Sequence, residues 1–172
     1  MKTVSRKSLI VSLLALVGSV AGQNALAGSD AELRWQSVIG IIQGGNVVGT
    51  GTGAVTGVPG PWSAQDGHVK VDLKHGTVDF RVAGLVFAGG NFIGTPGTVV
   101  QVKGTLVCDT DGSATGNSIL VDTPLVSLDE EGDARFNGSL PSLPVVCSTE
   151  PDVAFLIRTS TGRWIANGTV LK

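Results

Sequence analysis

Tyrosine is absent from the 172 residues, and the aromatic side chains are three tryptophans and five phenylalanines. That composition argues against a broad aromatic platform of the kind that stacks on sugars or bases. Histidine occurs only at His68 and His75, which leaves little material for a Ser-His-Asp triad. No Gly-x-Ser-x-Gly elbow is present. Lysine and arginine never cluster with interleaved aromatics, so nucleic acid is disfavoured as a partner. No apolar run after the first twenty residues approaches membrane-spanning length. Heptads and helical periodicity are also missing, so any helix should be a single turn.

The N-terminus reads as a secretory signal peptide. Lys2, Arg6 and Lys7 form a positive region, Leu9 to Val20 an apolar core, and Ala25-Leu26-Ala27 a small-x-small cleavage pattern. Removing 27 of 172 residues leaves 145, which is one domain's worth. The leader carries three positive charges and no negative ones, so the formal charge moves from −2 to −5. The expectation is therefore residues 1–27 as leader, 28–172 as one domain, and an extracellular or periplasmic destination. There, Cys108 and Cys147 are expected to pair. Closing a loop of about 40 residues stabilises a domain by about 3–4 kcal/mol in the chain-entropy account.

The remaining sequence is strand-rich. His68 to Leu73 alternates, with Val69, Val71 and Leu73 on one face. Thr77 to Val82 alternates likewise, with Val78, Phe80 and Val82 inward. Lys74-His75-Gly76 between them predicts a tight hairpin. Leu85 to Ala88 reads as an extension of the second strand past Gly84, where a bulge or close backbone approach fits. Further strands are predicted over Glu32–Ile42, Thr98–Cys108, Ser118–Leu128 with a break at Pro124, Ala134–Leu140, Val153–Ile157 and Trp164–Leu171. The fold class is all-β, a single antiparallel β-sandwich or barrel of about nine strands.

Two glycine knuckles punctuate this pattern. Gly44-Gly45-Asn46-Val47-Val48-Gly49-Thr50 is echoed 45 residues later by Gly89-Gly90-Asn91-Phe92-Ile93-Gly94-Thr95. Duplicated hairpins and convergent turn chemistry both account for the echo. The second knuckle is expected to join two core strands as a hairpin. Gly49-Thr50-Gly51-Thr52-Gly53 is not a phosphate loop, because no helix pattern follows it.

Few residues offer chemistry. His68 and His75, with Asp66, Asp72 and Asp79 nearby in sequence, are weak metal candidates. So are Asp109 and Asp111, whose spacing could hold calcium. Asp109-Thr110-Asp111-Gly112 places its glycine too early for an EF-hand, and an Asx-type turn fits better. Trp62 lies in the Pro/Gly loop, as a lid on the core or as an indole offered to a partner. Asn91, Phe92 and Thr95 form the second tip. These four are the candidate ligand contacts. Asn137-Gly138-Ser139 and Asn167-Gly168-Thr169 are glycan acceptors in a eukaryotic secretory pathway.

The segment Gly76-Thr77-Val78-Asp79-Phe80-Arg81-Val82-Ala83-Gly84-Leu85 is similar to a strand of secreted CHRD-type domains. The His-x-His that usually follows there is missing here, so no function is carried over. The reading is an exported, non-enzymatic binding, adhesion or surface module recognising an extracellular ligand. The alternative is a secreted hydrolase or metal-dependent enzyme built on His68 and His75.

Overall fold

The computed structural model describes residues 32–171. The expected leader and its cleavage site lie outside them. The described chain is all-β. Its strands are β1 (Glu32–Gly40), β2 (Val47–Val48), β3 (Val55–Thr56), β4 (Trp62–Ser63), β5 (Asp66–Asp72), β6 (Thr77–Ala83), β7 (Val86–Phe87), β8 (Gln101–Cys108), β9 (Ile119–Asp122), β10 (Val126–Ser127), β11 (Ala134–Ser139), β12 (Val153–Thr159) and β13 (Trp164–Leu171). Helix is confined to a 3₁₀ turn, Gly51–Gly53, and the single turn α1, Val146–Thr149.

Nine strands form one antiparallel sheet in the order β10-β8-β12-β13-β1-β5-β6-β11, with β9 also paired to β8. β9 and β10 are two parts of one bent strand. Thr123 sits at the bend, where the Gly104 amide donates to its Oγ1 at 2.9 Å. Beyond Pro124 the register on β8 shifts by one residue.

The expected β5–β6 hairpin is present, with a register running from Asp66↔Ala83 to Asp72↔Thr77. Asp72 closes its turn by accepting from the Lys74 and His75 amides, both at 2.9 Å. Val69, Val71, Val78, Phe80 and Val82 are buried, as the alternation requires.

The sheet curls until strands far apart in its order face one another. Phe80 on β6 and Phe155 on β12 lie 5.7 Å apart between ring centroids. Trp35 on β1 is 5.8 Å from Phe155. Gly104 makes this closeness possible, because a Cβ there would lie 2.5 Å from Phe155 Cζ and 3.0 Å from the Phe80 ring. Such contacts match the density of protein interiors.

The segment between β1 and β4 covers part of the outer face. Trp164 is buried beneath it, and its indole N–H donates to the Asn46 carbonyl at 3.0 Å. At the end of β8, Cys108 forms the expected disulfide with Cys147, with Cα atoms 4.9 Å apart.

Two expectations are corrected. Leu85–Ala88 does not extend β6. Gly84, at φ +62°, turns the chain, and β7 pairs instead with β4 from the Pro/Gly loop. Nor does the second knuckle form a hairpin between paired strands, since β8 pairs with β9, β10 and β12. The knuckle closes on itself: the Phe87 amide donates to the Thr95 carbonyl, and the Gly94 amide to the Phe87 carbonyl, each at 2.9 Å.

Candidate functional site

Three loops gather at one end of the curled sheet. The loop containing Pro59 and Pro61 ties the other two together. On one side the Gly45 amide donates to the Val58 carbonyl at 3.1 Å, and the Trp62 amide to the Ile41 carbonyl at 2.7 Å. On the other, the Ala88 amide donates to the Pro61 carbonyl at 3.0 Å. The two knuckles share backbone conformation at matching positions. Gly45 and Gly90 both have φ +79°, while Gly49 has +84° and Gly94 +79°. Each glycine occupies the left-handed region that a side chain disfavours.

Aromatic rings step outward from the core through this end. Trp62 is 2% exposed. Its indole packs on Phe87 at 4.2 Å between centroids, and Phe87 packs on Phe92 at 5.9 Å. Phe92 is 53% exposed and its neighbour Ile93 65%. Trp62 is therefore buried, as a lid on the core would be. It gains more from burial than from display, although its buried Nε1 has no hydrogen-bond partner among the described residues. Phe92 is the member of the ladder that reaches solvent.

Asn91 is exposed beside Phe92. Thr95 fixes the tip, donating from Oγ1 to the Phe92 carbonyl at 2.9 Å and accepting from the Gly97 amide at 3.2 Å. Asn91, Phe92 and Thr95 thus lie together, on a loop held by its own hydrogen bonds. Ile42, 81% exposed, lies next to the Ile41–Trp62 link.

The weak metal candidates occupy other places. His75 is exposed in the β5–β6 turn, with Nδ1 at 2.7 Å from Asp72 Oδ2. That imidazole, with the His75 and Lys74 amides, holds the Asp72 carboxyl below the usual range. His68 is on β5, directly opposite Arg81. Asp109 is buried at φ +55° and accepts from the Ala114 amide at 3.2 Å and from Ser113 Oγ at 3.3 Å. Asp111 accepts from the Ser113 amide at 2.9 Å, the leading cause of its lowered pKa. Asp111 thus makes the Asx arrangement, while Asp109 ties the longer loop to Ser113 and Ala114. Among the described residues, no three His, Cys, Asp or Glu side chains gather as a metal site would need.

A second feature of the outer face escaped the sequence reading. Arg81 on β6 and Arg135 on β11 stand directly opposite each other. They line a cleft of about 580 Å³ where the two ends of the curled sheet meet, together with Val126 and Ser127 of β10 and Asp129 and Asp133 of the acidic turn. The alternation of Val78, Phe80 and Val82 already placed Arg81 outward. Its pairing with a residue 54 positions later carried no local signal.

No family model matches the chain, and neither a curated protein nor a solved structure matches it. The ten-residue similarity to CHRD-type strands therefore has no wider match behind it. No helix among the described residues is long and apolar enough to cross a membrane.

Proposed function

We propose that the chain is an exported, non-enzymatic binding or adhesion module whose contact surface is the loop end around Asn91, Phe92 and Ile93. The observation carrying this reading is the outward step from Trp62 through Phe87 to Phe92. A large ring is left exposed on a tip closed by its own hydrogen bonds. Such an anchor contributes contact area at low entropic cost on binding. Loops raised on a rigid β scaffold are where recognition residues commonly reside. The disulfide supports an oxidising destination, extracellular or periplasmic. The enzyme alternative gains no support from His68 and His75, which take up separate local roles.

Binding is tested on glycan and peptide arrays probed with the mature chain and with a Phe92→Ser, Ile93→Ser variant. A ligand class lost at least tenfold by the variant, with an unchanged melting temperature, supports the reading. Binding indifferent to both substitutions overturns it. N-terminal sequencing of chain exported from its own leader should start at Gly28. Full retention in the cytoplasm would remove the exported part of the reading.

A further inference from the structure

The cleft at the meeting of β6, β10 and β11 holds two facing arginines, with Asp129 and Asp133 also in its lining. Opposed residues on neighbouring antiparallel strands have Cβ atoms about 4.5–5.5 Å apart, and like charges there are destabilising. Arg81 faces Arg135 in this way, and His68 stands next in the same row. All three side chains are exposed, and among the described residues neither arginine forms an ion pair.

Elsewhere on the outer face, neighbouring cations share a carboxylate. Glu32 bridges Arg34 and Lys70. Asp122 bridges Lys103 and Arg158, which are themselves opposed across strands. The acids nearest the Arg81–Arg135 cleft are already engaged with backbone. Asp133 Oδ1 accepts from the Gly84 amide at 2.9 Å, and Asp129 Oδ1 from the Asp133 amide at 2.7 Å. Asp66 and Asp79 lie one row away on either side.

We propose that this cleft binds a tetrahedral oxyanion, a phosphate or sulfate monoester group, between the guanidinium groups of Arg81 and Arg135. Planar guanidinium forks hold such oxygens bidentately, and two of them match the charge of one dianion. The His68 ring can add a hydrogen bond at the edge of the row. Asp129 and Asp133 each keep a second carboxylate oxygen that can accept from hydroxyls on the molecule carrying the anion. The cleft volume suits a small ligand. This site is separate from the Phe92 tip and does not depend on the function proposed for it.

The test uses the mature protein and three probes at matched ionic strength: inorganic phosphate, inorganic sulfate and chloride. Arginine Nε–H resonances and thermal melts are followed. The expected result is saturable one-to-one binding by phosphate or sulfate, with shifts at Arg81 and Arg135. At tenfold excess over Kd, Tm should rise by about 3–5 °C. Arg81→Gln and Arg135→Gln should each weaken binding at least fivefold, while Arg34→Gln should leave it unchanged. The stronger of the two oxyanions identifies whether phosphate or sulfate is preferred. Equal responses to all three salts, or shifts that persist in the Arg81→Gln, Arg135→Gln double variant, overturn the proposal.

Discussion

Among the described residues the outer face carries three pairs of cations opposed across neighbouring strands; one, Arg34 and Lys70, shares Glu32, and the other two differ. On the β8–β12 side, Lys103 faces Arg158, and Asp122 from β9 lies between them. Asp122 Oδ1 accepts from Arg158 Nη1 at 3.1 Å and from Thr105 Oγ1 at 2.6 Å, and its other oxygen meets Lys103 Nζ. On the β6–β11 side, Arg81 faces Arg135 with no carboxylate between them. The Lys103–Arg158 pair sits on β8 and β12, with β8 pinned at its end to α1 by the Cys108–Cys147 disulfide, next to double-sided burial at Leu156 and Val107. The Arg81–Arg135 pair sits at the meeting line of the sheet, beside open space. A like-charge pair in one protein is thus satisfied internally in one place and left to solvent, or to a ligand, in the other.

The comparison can be broken most severely at the disulfide. Replacing Cys108 and Cys147 together by serine should cost about 3–4 kcal/mol, read from urea unfolding at neutral pH. A loss below about 1 kcal/mol would mean that the β8–β12 side owes its order to packing alone.

Asp122→Asn comes next. It leaves Lys103 and Arg158 opposed without a counter-charge and should cost about 1–2 kcal/mol, a figure reduced for the partial exposure of the pair. Burial acts to raise the Asp122 pKa, but Lys103, Thr105 and Arg158 outweigh it, so the folded-state value is lowered. Its stabilisation is therefore complete above the unfolded carboxylate pKa of about 4 and is lost as pH falls through the lower folded value. The stability gap between wild type and Asp122→Asn should be flat near neutrality and shrink in acid. A gap that widens in acid would reverse the assignment.

Arg135→Glu sharpens the contrast from the other side. It supplies Arg81 with the partner that Asp122 gives Lys103, and should stabilise the ligand-free protein by about 0.5 kcal/mol. It should also abolish oxyanion binding. The smallest effect belongs to Phe92→Ala, expected within about 0.5 kcal/mol of wild type because the ring is largely exposed. A larger loss would make the tip a structural element.

What was legible in the sequence had local causes. The β5–β6 hairpin could be read because both strands alternate in period two and Asp72, Lys74, His75 and Gly76 form a turn between them. The disulfide followed from two cysteines in a chain with a leader pattern. The partner of β7 was not legible, because Trp62↔Phe87 is a contact between a proline-glycine loop and a strand too short to show a pattern. The second knuckle was misjudged for the same reason: glycine at positive φ indicates a reversal but not which strands it joins. The Arg81–Arg135 pair depends on β11 crossing back to β6, a register set by packing of Phe136 over Phe80 and not by any short motif.

The register of β1 against β13 has a mechanical consequence. Trp35 pairs with Leu171, so the chain enters and leaves the sheet side by side. Tension applied between those two points separates neighbouring strands in peeling geometry, breaking one hydrogen bond after another at low force. Tension between Leu171 and the Phe92 tip is expected to engage more of the sheet before any one strand peels away. A single-molecule pull should record the lower rupture force for the first attachment. A module that holds its target at the tip and its anchor at one terminus would carry load in the stronger direction.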